Sequence, residues 1–327
     1  MFKALGLKGT EREWLNAFQR SHPELFAYDG ESDKLRLILG VGRSGTSWLS
    51  RVLSKSTTPL RFFNEPLHPF RPKLPFSNKY DHTAVPYCRS LGDDHPLVRV
   101  YKCLTLSDYD WDRLLPGKII CRDDRKFSFC LVKEVHALLA TEALLKKLQC
   151  ATLFITRDPV YVVDSLLSFR RLNAPIWQNE SRYVRDGSFL VRYFPEEAYR
   201  IQKYYGKNAR TFNKKKRIIM NKMLTVGIIN KMLSSLADEL DFVCHIRYEE
   251  LCEDPEKIFK KAADFLSLDM EAGMLDYLSS TQKKNERDIG PYSIYRDTSQ
   301  QLRRPLRFIS DTEAEMGRTM LLECALI

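Results

Sequence analysis

The residues able to do chemistry gather at three places, each just after a short apolar run. The first is Gly40-Val41-Gly42-Arg43-Ser44-Gly45-Thr46-Ser47-Trp48, which follows LRLIL and precedes a helix-like stretch. Glycines let a backbone turn tightly and present its N–H groups, and the start of a helix adds partial positive charge, so anions bind at such turns. Arg43 adds a full cation. The second place is Arg157-Asp158-Pro159 after LFIT, with Ser165 eight residues beyond Arg157. Asp158 reads as a helix N-cap and Pro159 as the first helical residue, so part of this motif is structural. What remains is an Arg and a hydroxyl at the carboxyl edge of a second strand. Two anion sites on neighbouring strand ends suit a ligand with phosphates at two positions. The third place is Glu65, closing the LRFF run, with His68 as the alternative base. A carboxylate so placed takes the proton of an attacking hydroxyl.

Two familiar phosphate loops almost fit the first stretch. It matches GxGxxG, and Glu65 lies 20 residues beyond Gly45, where a dinucleotide fold keeps its ribose-binding acid. Arg43 and the bulky Trp48 in the first helical turn argue against that reading. The GxxxxGK[ST] loop also fits at Gly40, Gly45 and Ser47, but Thr46 stands where the phosphate-binding lysine belongs. No strand ends in a clear magnesium-holding Asp, so the loop is poorly equipped for ATP chemistry.

The elements that must hold these residues are legible as short apolar strands: Leu35–Leu39, Leu60–Phe63, Ser128–Val132, Ala151–Thr156 and Phe242–Ile246. Helix-like stretches separate most of them, at Thr46–Ser54, Val135–Leu148, Val160–Arg171 and Lys214–Asp238. This alternation predicts an α/β fold, a central parallel sheet flanked by helices, with a P-loop-like nucleotide-binding architecture. The chain closes with helices after Asp254-Pro255 and after Ser310, where Ser310 and Glu313 form a capping box. No linker divides the chain, so residues 1–327 are expected as one domain. Within it, residues 1–34 form a helical extension opened by Thr10-Glu11-Arg12-Glu13, and residues 282–327 a C-terminal loop and helix. Seven of the 15 prolines fall between Pro66 and Pro116, which marks 66–127 as a loop-rich, substrate-side region.

Composition narrows the class. With 44% hydrophobic and 29% charged residues in 327, the chain reads as globular. It shows neither a signal peptide nor a run of apolar residues long enough to span a membrane. The eight cysteines are scattered without a CxxC pair, which predicts a reducing compartment and a cytoplasmic protein. The six histidines show no zinc spacing, so no metal is expected. A net charge of +10 favours an anionic partner. The Lys214-Lys215-Lys216-Arg217 run reads as a solvated helix face, and no aromatic-interleaved basic motif points to nucleic acid.

Taken together, these motifs resemble those of the sulfotransferases that use 3′-phosphoadenosine-5′-phosphosulfate (PAPS). Arg43-Ser44-Gly45-Thr46-Ser47-Trp48 is similar to their 5′-phosphosulfate loop. Arg157-Asp158-Pro159 with Ser165 is similar to their 3′-phosphate motif. Arg at position 43 and Asn64-Glu65-Pro66-Leu67-His68, similar to an EPL segment whose Glu is the base, resemble the carbohydrate-type branch. Tyr248-Glu249-Glu250-Leu251, Asp254-Pro255 and Phe265-Leu266 resemble a further, mainly structural landmark. The likeness runs in order from about residue 35 to 270. The family's Arg-rich C-terminal loop has its nearest counterpart in Gln301-Leu302-Arg303-Arg304, without the usual Trp. The anchor of eukaryotic carbohydrate enzymes has no counterpart here, which points to a bacterial-type enzyme or to a shortened chain.

The resemblance implies transfer of a sulfuryl group from PAPS to an acceptor hydroxyl, with adenosine 3′,5′-bisphosphate (PAP) as product and no metal. It implies that Gly42, Arg43, Ser44, Gly45, Thr46, Ser47 and Trp48 hold the 5′ end, Arg157 and Ser165 the 3′-phosphate, and Arg303 or Arg304 adds a cation. Glu65 is then the base, and Lys133 faces the donor. The expected partners are the nucleotide donor and a hydroxyl-bearing acceptor, a glycan first among the candidates. Three other readings stay open: an NAD(P)- or flavin-dependent oxidoreductase, a P-loop-type small-molecule kinase, and a non-catalytic polyanion-binding module.

Overall fold

The computed structural model of the chain describes residues 19–20, 23, 27, 30–67, 90–93, 95–106, 111, 127–167, 194–208, 211–282, 297–302 and 304–327. Five strands, β1 (Leu35–Leu39), β2 (Leu60–Asn64), β3 (Phe129–Glu134), β4 (Ala151–Thr156) and β5 (Val243–Arg247), form one sheet in the order β2-β3-β1-β4-β5. Every pairing is parallel. Parallel strands need covered crossovers, so the apolar runs of β1 to β4 are buried on both faces, and only the edge strand β5 is partly open. Leu35, Leu37 and Leu39 face one core layer while Ile38 faces the other.

The helices follow from local chemistry. The described ones are α1 (Thr46–Leu53), α2 (Pro96–Cys103), α3 (Thr141–Leu148), α4 (Pro159–Leu167), α5 (Pro195–Asn208) and α6 (Lys214–Glu239). After β5 come α7 (Tyr248–Glu253), α8 (Pro255–Phe265), α9 (Ala272–Thr281), α10 (Thr298–Gln301) and α11 (Asp311–Glu323). The Asp158 carboxylate accepts from Val160 N at 2.7 Å, capping α4 with Pro159 inside its first turn. Ser310 and Glu313 form the expected capping box of α11. On one face of the sheet α1, α8 and α9 enclose Trp48, Phe62 and Phe259. On the other, α4, α6 and α11 enclose Phe154, Met220 and Met320.

Three expectations are corrected. Strand β3 runs on through Lys133 and Glu134, because Ile38 and Leu39 of β1 continue its ladder. Val135–Ala137 are not helical: the Glu134 carboxylate accepts from Val135 N and His136 N, both at 2.8 Å, and this local bonding competes with helix formation. A 3₁₀ turn at Leu138–Ala140 then leads into α3. The region 66–127, expected as loops, contains α2, capped by His95 Nδ1 on Leu97 N at 3.1 Å. Its residues Leu97, Val98, Val100, Tyr101 and Cys103 are buried while Arg99 and Lys102, one turn apart, are half-buried, but eight residues inside a proline-rich stretch are too few for that periodicity to declare a helix. Residues 168–171 of the expected fourth helix and the Thr10–Glu13 cap lie outside the described residues. No described helix is long and apolar enough to cross a membrane.

Candidate active site

The carboxyl ends of β1, β4 and β2 converge on one edge, where open parallel sheets place their ligand sites. The loop after β1 is tight. Gly40 lets two strands close up: a Cβ there would lie 2.4 Å from Ile155 O. Ser44 N donates to Val41 O at 3.0 Å, and Arg43 and Gly45 take positive φ values of 80° and 98°. A Cβ on Gly45 would also lie 2.4 Å from Tyr248 Cδ2. Only glycine meets both conditions without strain. Arg43 is not glycine, and its left-handed backbone is strain of the kind that collects at functional sites.

Trp48 N and Leu49 N both donate to Gly45 O at 3.0 Å. Among the described residues, no acceptor takes the N–H groups of Gly45, Thr46 or Ser47. The Ser44 hydroxyl is fully buried, again with no partner among the described residues. Orphan donors at a helix start and a buried hydroxyl with no described partner are what a bound phosphate or sulfate group requires.

The second anion motif closes directly onto this loop. Arg43 Nε donates to Ser165 Oγ at 2.9 Å, and Arg157 Nη1 donates to Arg43 O at 3.2 Å. The Arg157 guanidinium lies 4.1 Å above the Tyr248 ring, and Asn230 Nδ2 donates to Arg157 O at 2.8 Å. Asp158 N is bound by Glu249 Oε1 at 3.0 Å. Next to Ser165, the Asp164 carboxylate is almost fully buried. It accepts from Arg304 Nη2 at 3.0 Å and from Arg307 N, Phe308 N and Ile309 N at 2.9, 2.8 and 3.3 Å. The C-terminal loop is thereby fastened beside the second motif, with Arg304 committed to Asp164.

Glu65 follows β2 with φ 55°, and its N donates to Lys133 O at 2.7 Å. Its carboxylate is ion-paired with the Lys133 ammonium, and His136 Nε2 stands 3.7 Å from Oε2. Burial works to raise the Glu65 pKa, but His136 and the Lys133 charge outweigh it and hold the carboxyl well below the usual carboxylate range. The group is ionised and able to accept a proton, though with reduced basicity while the Lys133 ammonium and His136 face it.

The structure therefore brings together Gly42, Arg43, Ser44, Gly45, Thr46, Arg157 and Ser165, with Glu65 and Lys133 at the end of the neighbouring strands. Ser47 is exposed in the first turn of α1. Trp48 differs: its ring is buried edge-on against Phe259 and its Nε1 donates to Thr281 Oγ1 at 2.8 Å, so its side chain serves the core. His68 and Arg303 lie outside the described residues. Sequence reasoning missed His136, Glu134, Asp164 and Asn230. Only His136, three residues after Lys133 at a strand end, left a signal that could have been followed.

No curated protein matches the sequence. Several solved structures are similar in outline. STF9 from Mycobacterium avium is 14% identical with a TM-score of 0.43, covering 94% of this chain and 80% of that one. Mouse sulfotransferase SULT7A1, complexed with PAP, is 12% identical with a TM-score of 0.42, covering 92% and 87%. A sulfotransferase from Alicyclobacillus acidocaldarius is 18% identical with a TM-score of 0.37, covering 75% and 89%. Values this low leave the assignment to the family profile described as "Sulfotransferase domain", which matches residues 33–303. That match takes in the β1 loop, Glu65, the Arg157 motif and the whole sheet, and the chain belongs to the sulfotransferase family.

Proposed function

We propose that the protein transfers a sulfuryl group from PAPS to a hydroxyl of a carbohydrate or glycan-containing acceptor, with Glu65 as general base. The observation that carries the reading is the joining of two anion motifs: Arg43 holds Ser165, and Arg157 holds the Arg43 carbonyl. A donor with a phosphosulfate at one end and a 3′-phosphate at the other needs two such sites side by side, whereas ATP needs one. The carbohydrate assignment rests on the motif resemblance of Arg43 and of Asn64–His68, and a fold alone does not choose an acceptor.

In this reaction the acceptor oxygen forms a bond to sulfur as the bond from sulfur to the 5′-phosphate oxygen breaks. The electron pair leaves with the phosphate, and the hydroxyl proton passes to a Glu65 carboxylate oxygen. Arg43 and the N–H groups of Gly45, Thr46 and Ser47 are placed to meet charge on the departing phosphate. Arg157 and Ser165 hold the 3′-phosphate. Lys133 is paired with Glu65, and an anionic donor nearby competes for its ammonium. Loosening that pair returns basicity to Glu65 as the leaving oxygen gains a cation. Positioning and fixed charge supply the catalysis, as in phosphoryl transfer.

The test is thermal stability with PAP, then separately with NAD, NADP and magnesium-ATP. A ligand at about 100 times its Kd stabilises by ~2.7 kcal/mol, which for 327 residues raises Tm by about 4 °C. The expected result is a rise with PAP alone, without magnesium. A rise with a dinucleotide or magnesium-ATP in place of PAP sinks the reading.

A further inference from the structure

The residue that organises the Glu65 cluster is not one of its members. Glu134 ends β3, pairs in register with Leu39 and is 0% exposed. A carboxylate at that depth costs several kcal/mol of desolvation unless its oxygens are satisfied. Both are satisfied by backbone. Oε2 accepts from Leu67 N at 3.0 Å, and Oε1 accepts from Val135 N and His136 N at 2.8 Å each.

These bonds join two turns far apart in sequence. The turn after β2 is fixed at one end by Glu65 N on Lys133 O and at the other by Leu67 N on Glu134. Glu65, with its left-handed φ, sits between the two. The turn after β3 is fixed at Val135 and His136, so the backbone carrying the imidazole is set by the same carboxylate. Lys133 is the residue immediately before. Glu65, Lys133 and His136 thus all sit on backbone next to or held by Glu134, whose own oxygens are taken by three backbone N–H donors.

We propose that Glu134 is a positioning residue for sulfuryl transfer, its buried carboxylate clamping the Glu65–Leu67 turn to the Val135–His136 turn and so setting where Glu65, Lys133 and His136 meet. The proposal rests on Glu65 being the base. Glu134→Gln conserves volume but keeps only one oxygen. Its amide NH₂ then faces one of the two turns as donor against donor, and that turn is released.

The experiment combines kinetics with hydrogen exchange on Glu134→Gln and the wild type. PAP release from PAPS is followed with N-acetylglucosamine as acceptor and with water alone, and PAP affinity is measured by calorimetry. Displacing a catalytic group by an ångström costs about 100-fold. The expected result is a kcat lower by ~10- to 100-fold, with the KM for PAPS and the Kd for PAP within about twofold of wild type. Exchange protection at Leu67 or at Val135 and His136 falls in the variant. An unchanged kcat overturns the proposal, as does a PAP affinity that falls in step with kcat. If the variant does not fold, wild-type exchange decides: protected Leu67, Val135 and His136 amides support the clamp, and exchange at open-loop rates refutes it. Glu65→Gln is run in parallel. Full activity there removes the base reading, while the exchange data still judge the clamp.

Discussion

Replacing Asp164 by Ala tests how the C-terminal loop is held beside the second anion motif. The carboxylate is 1% exposed and receives four donors: Arg304 Nη2 and the N–H groups of Arg307, Phe308 and Ile309. The side chain is shielded from water, so solvent screening takes little from these bonds. Removing it leaves a guanidinium, itself 20% exposed, without its carboxylate, and strips three amides of their acceptor. Breaking one side of a buried charged pair costs about 3–5 kcal/mol. At ~2.1 cal/mol/K of unfolding entropy per residue, 327 residues give about 0.7 kcal/mol per degree, so Tm should fall by about 4–7 °C. Asp164→Asn keeps an oxygen for the amides and loses only the charged partner. It should cost about 1.5–3 kcal/mol, or roughly 2–4 °C.

The assay is a thermal melt of both variants, repeated with saturating PAP. Because Ser165 is the next residue and holds Arg43, release of the loop should also weaken PAP binding by roughly tenfold, worth about 1.4 kcal/mol. An Asp164→Ala protein that melts within a degree of wild type refutes the ledger. A large loss of Tm with wild-type PAP affinity would confine Asp164 to fold stability and break its link to the nucleotide site.

Glu65→Gln should nearly abolish turnover, by about 10²–10⁴-fold, while PAP still raises Tm; loss of PAP binding with chemistry preserved would show that the base is elsewhere. Arg157→Ala should weaken PAP binding by about 10- to 150-fold and Ser165→Ala by about 2- to 10-fold, read by calorimetry, and equal small effects would remove the 3′-phosphate assignment. The Glu65 carboxyl is held below its ordinary pKa of 4.5, so its contribution to stability is complete above that pH and lost as pH falls below it. Activity should accordingly show no acid limb from Glu65 near pH 6–7, and a limb there that disappears in Glu65→Gln would contradict the ion-paired geometry. Gly45→Ala should lower Tm by about 2–5 °C, from φ strain of ~1–3 kcal/mol plus the clash with Tyr248. Adding Tyr248→Ala should recover the clash part, so strictly additive losses would show that the ring does not press on Gly45.

The sequence was most readable where the chemistry is local. A strand, three glycines and a helix start are consecutive, so the phosphate loop declares itself without tertiary information. Asp158 and Pro159 announce α4 in the same way, and Ser310 announces α11. The surroundings of Glu65 are different in kind. Lys133 and His136 reach it because β3 inserts between β2 and β1, and nothing between residues 65 and 133 encodes that order. Helix α2 escaped because its eight residues, set among prolines, are too short for their apolar period to stand out, and Val135–Ala137 read as helix because the side chain that unwinds them, Glu134, looks like any helical glutamate. Trp48 was legible as too bulky for a dinucleotide turn. Its true surroundings, Thr281 and Phe259, lie more than 200 residues away in the chain.

Tyr248 shows why the pieces act as one site. It opens α7 directly after β5, in a stretch that reads as a structural landmark, and it is indeed buried. Yet one flank of its ring fills the space that a Gly45 side chain would need, and its face carries the Arg157 guanidinium at 4.1 Å. The loop proposed to receive one end of the donor and the arginine proposed to receive the other are therefore packed against the same ring. Arg157 also bonds the Arg43 carbonyl, and Arg43 bonds Ser165. The two motifs are thereby linked to each other directly as well as through the ring. On the proposed assignment, a set spacing of two anion sites would select a bisphosphorylated nucleotide by geometry, against the far more abundant nucleotides that carry all their phosphates at one end.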